Sequence, residues 1–276
     1  MNASLKKVIA EFIGTFVFLL AVAGATSSGS PLKQISIALV YGLLILTLGG
    51  ISGGFFNPAV SLYLFAKREL SFGMLLSFIA AQLLGAFFGM VVGLSLWEKT
   101  ISPFTDGNLV TTPIFVGEVI ATAGLVVVIG TLLSNKQSSL IWVGAAAWLF
   151  GAGTFTVTGA MANPAVSFGL MFNGISTGSI ASIIVAQLVG LVVAIAVLIV
   201  LGTSTKKATP AKKAAPAFVP APVTPTVAPS TSKASTKTAV TKKPAAKKPA
   251  AKPVAKAAPA KKPATKKPAA KATTKK

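Results

Sequence analysis

The sequence predicts an all-α membrane protein: six transmembrane helices plus two re-entrant half-helices, arranged as an inverted repeat. Three observations carry the prediction. Residues 1–202 form a nearly uncharged apolar stretch, with seven basic and five acidic side chains. Within it, six hydrophobic runs approach the length of about 20 residues that a helix needs to cross a bilayer. Asn-Pro-Ala occurs twice, at Asn57-Pro58-Ala59 and Asn163-Pro164-Ala165, 106 positions apart. With no water in the hydrocarbon layer, the backbone of such runs must satisfy itself, which requires helices.

The runs are 8–26, 35–51, 72–97, 114–134, 139–157 and 179–202, with the second and fifth near the minimum length. Two further apolar stretches, 57–66 and 163–174, are too short to span and fit half-helices. Each opens on Asn-Pro. Asparagine is a good N-cap, and proline is preorganised for the first helical position, where its missing N–H costs nothing. Pro58 and Pro164 are therefore expected to be structural.

The N-terminus superficially resembles a signal peptide, with Lys6 and Lys7 before an apolar run and small residues. Glu11 inside that run, and its counterpart Glu118, predict a retained first span. Basic residues set the topology. Lys6, Lys7, Lys67, Arg68, Lys136 and the lysine-rich end fall on one side, against Lys33 and Lys99 on the other. The positive-inside rule then places both termini in the cytoplasm of a multi-pass protein, expected in the plasma membrane.

The core repeats itself. Glu11-Phe-Ile-Gly-Thr15 matches Glu118-Val-Ile-Ala-Thr122 at an offset of 107, and the Asn-Pro-Ala-Val-Ser segments match at 106. Ala81-Gln-Leu-Leu-Gly85 matches Ala186-Gln-Leu-Val-Gly190 at 105. Each unit, about 5–100 and 110–202, holds three spans and one half-helix. Three is odd, so the second unit enters the membrane the other way round. The two Asn-Pro-Ala elements then face each other near the midplane, with the positive ends of both half-helices aimed at one site.

These residues resemble the aquaporin, or major intrinsic protein, family. The resemblance rests on Ala10-Glu11-Phe12, Ser52-Gly53-Gly54 leading into Asn57-Pro58-Ala59-Val60, and Asn163-Pro164-Ala165 with Ser167-Phe168-Gly169 after it. It implies a passive channel for water or small neutral solutes, assembled as a homotetramer in the lipid bilayer. Asn57 and Asn163 would line the pore and donate hydrogen bonds to a passing solute, while the half-helix ends oppose cations. Glu11 and Glu118, with Gln82 and Gln187, would hold the re-entrant loops in place rather than relay protons.

One departure from the family pattern matters most. The resemblance implies Arg directly after the second motif, lining the narrowest constriction, and Val166 stands there instead. Aligning back from Asn163 puts Gly151 at a constriction position where His is common, and Ala160 at the neighbouring loop position. The fourth position is Tyr41 by its local match, or Ile37 by ungapped counting from Asn57. Phe55 replaces a His found beside the first motif in many members. Valine supplies neither the charge nor the donors of arginine. A wider, more apolar filter is expected, passing solutes such as polyols, urea or undissociated metalloid acids. Ser167, where the glycerol-selective branch carries Asp, ranks polyol specialisation below a broad neutral-solute pore.

Other classes fit less well. A secondary active transporter on an inverted repeat would need a coupling-ion site, and beyond Glu11 and Glu118 the spans hold no acid to build one. The chain has no cysteine and no histidine, and no nucleophile–base pair or cofactor loop. No catalytic residue, metal site or cofactor is expected.

Residues 203–276 are a different polymer. They hold nineteen of the 26 basic residues, twelve of the 17 prolines and no acid, and repeat Lys-Lys-Pro-Ala units. Such a segment cannot bury enough apolar surface to fold and is expected to be disordered. Residues 214–232 lack lysine and fit a spacer. The tail reads as a solvated segment, a ligand of anionic lipid headgroups at about 1 kcal/mol per basic residue near the surface, or a nucleic-acid contact. A membrane anchor acting through this basic tail is the remaining alternative.

Overall fold

The computed structural model describes residues 1–203. The tail beyond Thr203, with its expected disorder and its lipid or nucleic-acid partners, lies outside the described residues. Eight α-helices follow in order: α1 (Ala3–Ser27), α2 (Lys33–Ser52), α3 (Pro58–Ala66), α4 (Phe72–Leu96), α5 (Thr112–Ser134), α6 (Ile141–Phe155), α7 (Pro164–Leu170) and α8 (Thr177–Val200). Six are long and apolar enough to cross a membrane, α6 only together with the 3-10 turn Ser138–Leu140 before it. The protein is a multi-pass membrane protein.

Local chemistry sets the ends. Asn2, Ser71 and Ser176 cap α1, α4 and α8 by accepting from Leu5 N, Met74 N and Ser179 N at 2.8, 3.3 and 3.2 Å. The short helices α3 and α7 both begin at proline behind an asparagine cap. The second is shorter than its apolar run: α7 stops at Leu170 and gives way to a 3-10 turn, Met171–Asn173.

Packing follows the repeat. Helix α1 lies against α4, and α5 against α8, as equivalent pairs. The α1–α4 contact is close because Gly85, Gly89 and Gly93 face it. A Cβ on Gly89 would come within 2.2 Å of the Phe16 carbonyl oxygen, and one on Gly93 within 2.5 Å of Ala23 Cβ. Gly190 does the same for the second pair, 2.6 Å from the Val119 carbonyl oxygen. Small residues at such crossings let backbones approach where no hydrophobic force drives helices together. The polarity is inside out: Leu39, Leu84, Phe88, Ile120 and Val192 are exposed, whereas Glu11, Gln82, Glu118 and Gln187 are completely buried.

Candidate pore site

Two buried carboxylates organise the site. Glu11 on α1 accepts four hydrogen bonds: from Ser52 Oγ at 2.6 Å, Phe55 N at 3.1 Å, Phe56 N at 2.7 Å and Gln82 Nε2 at 2.8 Å. Glu118 on α5 repeats the set with Thr158 Oγ1, Met161 N at 3.0 Å, Ala162 N at 2.9 Å and Gln187 Nε2 at 2.8 Å. A buried carboxylate in an apolar medium is costly unless its lone pairs are met. Here the donors are the backbone N–H groups of the loops that enter α3 and α7. Each glutamine continues inward, donating to Ser61 Oγ at 3.0 Å or Ser167 Oγ at 2.9 Å on those helices. Their Oε1 atoms are buried without a protein partner, identically in both halves.

Asn57 and Asn163 each do two jobs. As caps, their Oδ1 atoms accept from Ala59 N and Ala165 N, both at 2.9 Å. Their amide nitrogens cross to the opposite loop: Asn57 Nδ2 donates to Ala162 O at 2.9 Å, and Asn163 Nδ2 to Phe56 O at 2.8 Å. Phe56 and Ala162 both have φ of 46°, a left-handed conformation that side chains other than glycine seldom adopt. That turn, held by the carboxylates through the N–H groups, aims each carbonyl at its asparagine. One N–H per amide is left without a protein partner among the described residues.

Beyond this tie lies a cavity of about 70 Å³, between the C-terminal end of α1, the N-terminal end of α2 and the loop joining α6 to α7. Its walls include Ile37, Leu149, Ala160, Met161 and Val166. Ala160 and Val166, expected from the sequence, are thus brought together. Tyr41 and Gly151 are not among the lining residues. Tyr41 is buried against Phe18, ring centroids 4.9 Å apart, with its hydroxyl 3.4 Å from Phe55 O. Ile37, one turn earlier on α2, faces the cavity instead. On α6 the inward face carries Ala145, Leu149 and Ala152, and Gly151 falls on the side of Gly144 and Trp148, where a Cβ would meet open space.

Sequence reasoning used Ser52 as part of a motif without giving it a role, and passed over Thr158 and Gln34. The first two stand at the repeat's own offset of 106, each a hydroxyl two residues before a small residue, so the repeat contained a signal for them. Gln34 carried none.

The profile of the family described as "Major intrinsic protein" matches residues 1–169. The chain belongs to that family. Aquaporin NIP3-1 of Arabidopsis thaliana is 34% identical over 185 residues, covering 59% of this chain and 57% of that protein. Aquaporin-4 of Mus musculus is 32% identical over 188 residues, with the same coverage of 59% and 57%. The chain spans little more than half the length of these two relatives. Aquaporin-5 of Rattus norvegicus is 33% identical over 187 residues, covering 60% of this chain and 69% of its own. Among solved structures, the aquaglyceroporin from Plasmodium falciparum superposes with a TM-score of 0.55 at 23% identity, over 71% of this chain and 95% of that one. That likeness establishes the shared fold.

Proposed function

We propose that this major intrinsic protein is a passive channel for water and small neutral solutes, with a filter more permissive than a strict water filter. The observation that supports it is the stretch of cavity wall formed by Val166, Ala160, Ile37 and Leu149, which carries neither charge nor side-chain donor, the polar lining of Thr26, Lys33, Gln34 and Thr158 lying elsewhere on the wall. A solute leaving the mouth next meets the uncommitted N–H groups of Asn57 and Asn163, and the convergent positive ends of α3 and α7 oppose cations there. Glu11 and Glu118 are saturated by donors from the loops they hold, which fits support rather than proton transfer.

In the same proposal residues 1–202 form the channel and 203–276 a cytoplasmic tail that contacts anionic lipid or nucleic acid. The assembly is a homotetramer in the plasma membrane with both termini inside. The cavity then opens to the outer side.

The test is stopped-flow light scattering on proteoliposomes, comparing water, glycerol and urea for wild type and Val166→Arg. Glycerol and urea flux in the wild type that falls in the variant supports the reading. Flux of water alone in the wild type overturns the permissive filter.

A further inference from the structure

The inverted repeat gives both faces of the molecule the same set of helix ends, so each face serves as a control for the other. The ends of α1, α3 and α4, and of their repeat mates α5, α7 and α8, all turn through a left-handed residue. Gly29 after α1 answers Lys136 after α5, with φ of 64° and 58°. Gly174, past the 3-10 turn behind α7, answers Arg68 after α3, with φ of 84° and 60°. Glu98 after α4 answers Gly202 after α8, with φ of 51° and 68°. The hydrogen bonds match as well: Glu69 N donates to Leu64 O as Ile175 N does to Leu170 O.

The residues at these turns differ by face. Where α1 begins and α8 ends they are Arg68, Lys136 and Gly202; on the opposite face they are Gly29, Gly174 and Glu98. Room does not explain the difference, because a Cβ on any of the three glycines would meet nothing within 4 Å. Nor do helix dipoles, which would favour cations equally at the C-terminal ends on both faces. Arg68 and Lys136 therefore hold strained backbone at positions where the other half of the repeat uses glycine. Both side chains are exposed, and no hydrogen bond or ion pair engages either among the described residues. Glu69, the acid of this face, interacts electrostatically with Lys67.

The two cations belong to one surface. Tyr63 Oη of α3 and Leu198 Cδ1 of α8 each lie 2.6 Å from where Gly130 of α5 would carry a Cβ. Lys67 is one turn past Tyr63, its N–H donating to Tyr63 O at 2.9 Å, and Arg68 follows it. Ser134 Oγ donates to Thr203 O at 2.8 Å, which ties the end of α5 to the end of α8 two residues before Lys136. Beside Arg68 the rings of Phe65 and Phe72 are 6.1 Å apart, and both are exposed.

We propose that the turns after α3 and α5 form a binding site for an anionic phospholipid headgroup, with Arg68 and Lys136 as its phosphate ligands. The site stands independently of conduction, and only the name of the leaflet, cytoplasmic, rests on the topology proposed above. Guanidinium grips a phosphate through paired N–H donors, and the lysine adds a point charge. Free phosphate shares that chemistry. The exposed phenylalanines favour the lipid, because aromatic rings at this level sit among headgroups and acyl chains rather than in water.

Glycine is the natural variant for the test, since it removes the charge and relieves the strain together. Thermal unfolding of the full chain is followed in neutral detergent as dioleoylphosphatidylglycerol or dioleoylphosphatidylcholine is added, for wild type, Arg68→Gly, Lys136→Gly and the double variant. Without lipid the variants should be at least as stable as the wild type. Phosphatidylglycerol should stabilise the wild type more than phosphatidylcholine does, and the amount needed should rise about fivefold for each cation removed. Should the glycine variants fail to fold, Arg68→Asn with Lys136→Asn, tolerated at positive φ, carries the test. No phosphatidylglycerol response in the wild type, or an equal one in the double variant, overturns the site. Inorganic phosphate or a DNA duplex that reproduces the response overturns lipid as the ligand. A lipid response that behaves as expected in a protein without solute flux would sink the channel reading alone.

Discussion

The Phe56 ring occupies the space where Gly14 would carry a side chain: a Cβ there would sit 2.0 Å from ring carbon Cε1. Phe56 is fully buried, and its carbonyl is the one that accepts from Asn163 Nδ2. The contact between α1 and this ring therefore anchors the residue that ties the two half-helices together. In the second repeat the matched positions are Ala121 and Ala162. Similar space is filled there by two methyl groups rather than by a hydrogen and a ring.

Gly14→Ala should be strongly destabilising, by at least the 1–3 kcal/mol typical of overpacking. Gly14→Ala with Phe56→Ala, which copies the second repeat, should recover much of the loss. Thermal unfolding in detergent, run on both single variants and the double, reads the coupling. Simple additivity would mean that the ring moves aside at little cost.

Glu11→Gln should weaken the first re-entrant loop. Each carboxylate oxygen accepts two hydrogen bonds, one of them from a backbone N–H that can only donate, so the new NH₂ leaves that N–H unmet. The expected cost is about 1–3 kcal/mol. Glu118→Gln should do the same to the second loop, with lower thermal stability and less flux per protein as the readouts. If either variant conducts normally at wild-type stability, the carboxylates do not hold the loops.

Asn163→Asp keeps the cap on Ala165 N but loses the donor to Phe56 O. It also places negative charge at the convergent helix ends, where positive potential opposes cations. Solute flux should fall and a cation leak should appear, detected with a pH-sensitive dye inside the vesicles. An unaltered cation barrier would show that charge at this point does not control exclusion.

Truncation after Thr203 should leave water and solute permeability per channel within about twofold of wild type, because the hydrogen bonds and cavity described here all lie in residues 1–203. Loss of flux in a correctly inserted truncation would give the tail a part in conduction.

The spans and the repeat were legible because each depends on a local property. Apolar runs of bilayer length must be helices in lipid, and Asn-Pro announces a helix start wherever it occurs. The partners of Glu11 and Glu118 were half legible: Gln82 and Gln187 stood out as repeated polar residues in apolar spans, while the hydroxyls of Ser52 and Thr158 carried no sign of their partners. Gln34 was invisible, since its partners Gly153 and Gly159 are 119 and 125 residues away.

What the sequence determined by itself was the number of crossings, the opposed half-helices and the absence of arginine after the second motif. What only the tertiary structure decided was which side chains meet at the mouth. Counting back from Asn163 reached Gly151 by assuming a regular chain, but α6 ends at Phe155, and Gly159, Ala160 and Ala162 all take positive φ. Such residues turn the chain without advancing it along a helix, so residue count and position in space part company there. The rotation of α6 was settled by what its other faces bury, with Trp148 donating to Ala121 O at 2.8 Å and Ala146 packed at Gly42. That leaves Leu149, rather than Gly151, to face the cavity beside Val166.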